Sequence, residues 1–152
     1  MADPVIDRAK LLIVSDLTES DTVATLTFVD KTTATLPKTE KEYDYFLKLI
    51  KRGYERKHPV MLTISKGKTV TDVGRSDSDI TVSLLDDDAN RRVKVMFQGH
   101  DGTYFLQRDH ADFDKLHKLL TDSVANKKRL WFAARKPSLI IDDLMEYTDP
   151  KE

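Results

Sequence analysis

Apolar and polar positions alternate in short blocks along this chain, and one longer-period block interrupts the alternation in each half. Ala24, Leu26 and Phe28 alternate with polar or β-branched neighbours, and so do Val93, Val95 and Phe97. A period of two places one set on a buried sheet face and the other on the opposite face. Tyr43, Phe46, Leu47, Ile50 and Tyr54 instead recur at helical spacing, as do Phe113, Leu116, Leu120 and Val124. Thr39 followed by Glu42 has the form of a capping box, and Asp109 is the corresponding candidate cap in the second half.

The two halves repeat one another at a shift of 69 to 70 residues. Leu26-Thr27-Phe28 lines up with Val95-Met96-Phe97, Lys48-Leu49-Ile50 with Lys118-Leu119-Leu120, Val60-Met61-Leu62 with Leu130-Trp131-Phe132, and Asp72 with Asp142. Each copy reads as three strands, a helix and two strands. The first strand is Lys10–Ser15 or Asp79–Leu84, the second contains the alternating triplet, and the third is Thr32–Leu36 or Thr103–Leu106. The turn His100-Asp101-Gly102 is a strong hairpin signal. After the helix come Pro59–Ser65 with Lys68–Val73, and Arg129–Ala134 with Ser138–Leu144, with turns marked by Gly67 and Pro137.

The predicted class is therefore α+β: two tandem β-β-β-α-β-β repeats over residues 1–75 and 76–147, followed by a flexible tail at 148–152. Five strands with a helix between the third and fourth is the order of an OB-fold, a partly open small barrel, so each repeat is expected to be OB-like by analogy of topology. One composite barrel built from both copies is the rival arrangement.

Composition narrows the function. The chain has 152 residues, 25 Lys+Arg against 26 Asp+Glu, and no cysteine. Thiolate metal sites, disulfides and a cysteine nucleophile are excluded. Neither an apolar run long enough for a membrane span nor a secretory leader is seen, so a cytoplasmic protein is expected. No Gly-x-Ser-x-Gly elbow or phosphate loop is present, and Gly67-Lys68-Thr69 is read as a hairpin turn. Asp86, Asp88 and Asn90 begin like a calcium loop, but the sixth position is Arg91 and the twelfth Phe97, so a solvated turn is expected. Asp142 and Asp143 are adjacent on a strand and point to opposite faces. Neither an enzyme nor a cofactor is expected.

Binding is the remaining class. With Phe105 taken as inward, the second copy turns Arg92, Lys94, Met96 and Tyr104 outward. Arg108 lies nearby, and Trp131 faces outward or into a seam between copies. These residues are the candidate ligand-binding set. The leading expectation is a non-catalytic binding or assembly module acting through protein contacts or self-association. Single-stranded nucleic acid is the alternative, since cations beside aromatic rings suit stacking with phosphate neutralisation. Charge opposes it: residues 76–152 carry 12 basic and 15 acidic groups, against 13 and 11 in residues 1–75. A metal-dependent activity around His100, His110 and His117 is the third reading.

Overall fold

The computed structural model describes residues 9–136 and 138–147. Pro137, the N-terminal residues 1–8 and the tail 148–152 lie outside that range, so the readings of the leader, the second turn marker and the tail end there. Among the described residues the protein is α+β, with eleven strands in three sheets and two α-helices. The chain divides into two compact units between Arg75 and Ser76. Every strand pairs within its own unit.

The first unit contains β1 (Lys10–Leu12), β2 (Val14–Glu19), β3 (Val23–Phe28), β4 (Thr33–Pro37), α1 (Tyr43–Arg56), β5 (Val60–Ile64) and β6 (Val70–Gly74). Its sheets run β1-β5-β6 and β2-β3-β4, all antiparallel. β1 and β2 are one strand interrupted at Ile13, whose carbonyl accepts the Val29 N–H at 3.0 Å. A parallel bridge between Thr35 and Thr69 connects the ends of the two sheets.

The second unit contains β7 (Asp77–Asp87), β8 (Arg92–Phe97), β9 (Tyr104–Gln107), α2 (Phe113–Asn126), β10 (Arg129–Ala134) and β11 (Ile141–Glu146). Here the first strand is unbroken, giving one sheet in the order β11-β10-β7-β8-β9. The beginning of β7 pairs with β10 and its remainder with β8. A parallel bridge, Phe105 to Ile140, again joins the last strand to the third.

The ladders align the two units residue by residue. Val14 opposite Phe28 corresponds to Thr81 opposite Phe97, so the first strands are offset by 67 residues and the second by 69. Ala34 opposite Leu26 corresponds to Tyr104 opposite Val95, an offset of 70 that persists through both helices and into β5 and β10. Val73 opposite Leu62 corresponds to Leu144 opposite Phe132, an offset of 71. Each step is an insertion in a turn. The largest accommodates the 3₁₀ turn Asp88–Asn90, and the last widens the hairpin after β10. Asp72 is consequently the counterpart of Asp143, not Asp142. Both place Oδ1 on the next residue's N–H, at 3.0 and 2.9 Å.

Both helices start later than their sequence caps suggested, at Tyr43 and Phe113, with Glu42 and Asp112 as N-caps of identical backbone angles whose side chains make no capping bond. Turns at Pro37–Glu40 and Gln107–His110 occupy the preceding residues, so neither Thr39 nor Asp109 reaches the cap position. Both helices end on a lysine in the left-handed region, Lys57 and Lys127.

Each unit has its own apolar core. Phe28, Leu36, Ile50 and Leu62 lie at the centre of the first, and Phe97, Leu106, Leu120 and Phe132 at the centre of the second. Val124, expected on the core stripe of α2, is exposed. Gly53 and Ser123 occupy the same helical position. A Cβ at Gly53 would collide with Val60, whereas Ser123 donates to the Lys128 carbonyl at 2.6 Å and accepts the Thr81 N–H at 3.0 Å. Thr81 fills the place of Val14, and its buried hydroxyl has no partner among the described residues. Thr81→Val therefore restores the apolar group of the first unit. It should raise stability by about 1 kcal/mol, read as a higher urea midpoint; a lower midpoint would contradict the equivalence.

Candidate functional site: the outer face of the second unit

Pairing fixes which side chains share a face. Directly opposed residues of antiparallel strands point the same way, so Val93 with Leu106 and Val95 with Tyr104 turn inward, while Arg92 with Gln107 and Lys94 with Phe105 turn outward. This reverses the expected parity of β9. Tyr104 is only 4% exposed, packed edge-on against Phe97 at 5.1 Å and Phe132 at 5.4 Å. Burial, then Asp77 and Asp79, push its hydroxyl above the ordinary tyrosine range. Phe105 takes the outward position, under the Arg92 guanidinium at 3.9 Å.

The face is completed by β7. Ser83 opposes Met96, Leu85 opposes Lys94, and Asp87 opposes Arg92. A bulge between Thr81 and Ser83 shifts the register there, leaving Val82 51% exposed. Leu85 and Met96 are 61% and 46% exposed. This leaves three exposed aliphatic or thioether side chains on the paired strands β7 and β8, with Lys94 and the Arg92–Phe105 stack beside them.

The first unit serves as an internal comparison. Its corresponding positions are Ser15, Thr18, Thr25, Thr27 and Thr35, in place of Val82, Leu85, Lys94, Met96 and Phe105. One scaffold carries a hydroxyl-lined face in one unit and an apolar, cationic face in the other.

The two arginines of the expected set are not free charges. Arg92 Nε donates to Asp87 at 2.9 Å, and the Asn90 amide followed by Arg92 holds the Asp87 carboxyl below its ordinary range. Arg108 pairs with Asp86 at 2.8 Å and lies 3.7 Å from Asp88. The acidic run that began like a calcium loop is thus folded against two arginines. Trp131 lies on the face of β10 opposite the core residues Leu130 and Phe132, yet is only 7% exposed and stacks on Tyr147 at 5.1 Å. Met61, its counterpart, lies half-buried over Gly74. Of the six expected residues, Lys94 and Met96 stand in the exposed part of the face, Arg92 at its edge as an ion pair, and Arg108 at the adjoining turn. Tyr104 belongs to the core, and Trp131 is buried on the opposite face of β10.

The three histidines are engaged separately. His100 Nδ1–H donates to Asp79 Oδ2 at 2.6 Å, and the buried Asp79 also accepts the Gly99 and Ile80 N–H groups, both at 2.7 Å. Burial pushes this carboxyl up, but the His100 bond and the two backbone donors outweigh it and hold Asp79 below its ordinary range. His110 is buried: its Nδ1 accepts the Asp112 N–H at 2.9 Å, so Nε2–H donates to the Asp142 carbonyl at 2.6 Å. His117 stacks on Phe113 at 5.3 Å. Asp142 is buried and accepts Arg135 Nε on both oxygens at 3.0 Å. No group of three or more His, Asp or Glu side chains able to hold a metal ion occurs among the described residues.

No helix among the described residues is long and apolar enough to cross a membrane. Neither a family model, nor a curated protein, nor a solved structure matches this chain.

Proposed function

We propose that the chain is a tandem repeat of two OB-like barrels acting as a non-catalytic binding module, and that the outer β7–β8–β9 face docks a protein partner. The barrel reading rests on the shared first strand, the helix between strands three and four, and the parallel bridge of strand three to strand five in each unit. The docking reading rests on one observation: Val82, Leu85 and Met96 are exposed where the same scaffold in the first unit carries Ser15, Thr18 and Thr27. The first unit carries hydroxyl side chains at these positions, so the apolar ones of the second are not explained by the shared strand pairing. Exposed apolar clusters with a polar rim are features of interaction surfaces.

Nucleic acid fits this face less well. Tyr104 is unavailable for stacking, and Arg92 and Arg108 are already neutralised by Asp87, Asp86 and Asp88. The separate engagement of His100, His110 and His117 likewise gives no support to a metal-dependent activity.

The test is the size of the assembly the protein enters in extract of its own cells. The wild type should elute well above its 17.4 kDa mass. A Leu85→Asp/Met96→Asp variant with an unchanged urea midpoint should return to the monomer position. A wild type that elutes as a monomer, or a variant that stays in the assembly, overturns the reading.

A further inference from the structure

A cluster of positive charge lies on α1 of the first unit. Lys48, Lys51, Arg52 and Arg56, with Asp44 and Glu55, line an open groove of about 420 Å³ along the exposed side of that helix, whose described lining is α1 alone. Only Lys51 has an ion-pair partner among the described residues, Glu19 at 3.8 Å, and both side chains are largely solvated. Lys48, Arg52 and Arg56 follow one another at four-residue intervals, about 6 Å apart along the axis.

The corresponding face of α2 shows that this charge is not required by the fold. At the offset of 70 established above, Lys51, Arg52 and Arg56 become Thr121, Asp122 and Asn126, and Asp122 is paired with Lys128 at 3.0 Å. Four cations against two carboxylates in the first unit become one, Lys118, against Asp114 and Asp122 in the second. Cations near a helix C-terminus complement its dipole, which accounts for Arg56 but not for Lys48.

We infer that the α1 groove is a docking site for an acidic, extended segment of a protein partner. Alternate residues of an extended peptide lie about 6.6 Å apart on one side, close to the spacing of Lys48, Arg52 and Arg56. Asp44 and Glu55 bracket the cations and set a register for discrete carboxylates, whereas both would repel a backbone charged at every unit. Among the described residues no aromatic ring lines the groove for base stacking.

The experiment is fluorescence anisotropy of a fluorescein-labelled peptide of alternating Glu and Ser, titrated with the full chain at low and at physiological salt. Saturable binding that weakens with salt is expected. Lys48→Glu/Arg52→Glu should raise the Kd by about tenfold or more, an interaction loss of about 1.4 kcal/mol. Lys66→Glu/Lys68→Glu, the same charge change in the β5–β6 turn, should leave it nearly unchanged. Absence of saturable binding at low salt, or equal loss in both variants, overturns the site. Tighter binding of labelled oligo(dT) of the same charge overturns the choice of a peptide and assigns the groove to nucleic acid.

Discussion

Phe132→Ala should destabilise the second unit by about 3–5 kcal/mol, the range for removing a large buried aromatic side chain from a packed core. Phe132 is stacked on Phe97 at 4.3 Å and receives Tyr104 and His100 edge-on at 5.4 and 5.1 Å. Truncation therefore opens a cavity walled by three rings that belong to β8, β9 and their connecting turn, and those backbone segments cannot collapse into it without breaking ladder pairs. Trp131, the only tryptophan, adjoins Phe132 on β10, so its fluorescence follows unfolding of this unit directly. A urea midpoint shift equivalent to less than about 1 kcal/mol would contradict the assignment of Phe132 to the centre of the core.

Asp79→Ala is the second large effect, and its cause is polar. The substitution strips the partner from His100 and from the Gly99 and Ile80 N–H groups at once. The donors are only partly buried and can turn to solvent, so a total loss of about 1–3 kcal/mol is expected. Asp79→Asn retains one acceptor oxygen and should lose less. The pH dependence has a definite sign. The folded-state value of Asp79 lies below the ordinary one, so its stabilisation is fully present above the unfolded value of about 4 and is lost as pH falls through the lower folded value. The stability gap between wild type and Asp79→Asn should therefore narrow on acidification below about pH 4. A gap that widens in acid would show that the carboxylate is not the favoured form in the folded state.

Much of this architecture is legible in the chain because each element has a local cause. Alternation at Ala24, Leu26 and Phe28 and at Val93, Val95 and Phe97 marks strands, helical spacing after Tyr43 and Phe113 marks helices, and the two halves corroborate one another. Lys94 and Met96 follow from the same alternation. Tyr104 and Phe105 point opposite to the expected parity because the turn from Gln98 to Thr103 hides it. The first copy held the answer: in Thr33-Ala34-Thr35-Leu36 the apolar residues Ala34 and Leu36 must be the inward ones, and they correspond to Tyr104 and Leu106.

Other features depend on contacts that no local pattern encodes. Val82 is exposed because a bulge breaks the alternation of β7, and Leu85 because β7 runs on to Asp87, three residues past the expected end at Leu84. The neutralisation of Arg108 requires β9 to end beside the turn carrying Asp86 and Asp88. The anchoring of His100 by Asp79 joins residues 21 positions apart across two strands. In the unit-to-unit comparison, core positions remain largely apolar while the β7–β8 face and the α1 groove change character. That contrast separates what the fold requires from what a partner would read.

The docking claim is tested most directly by placing a photo-reactive amino acid at position 96 and, in a second protein, at position 27, its counterpart on the first unit, and irradiating each in the producing cell. The account predicts one discrete cross-linked product from position 96, identified by mass spectrometry and lost when Leu85→Asp is added, with no such product from position 27. Equal products from both positions, or none from position 96, would contradict it.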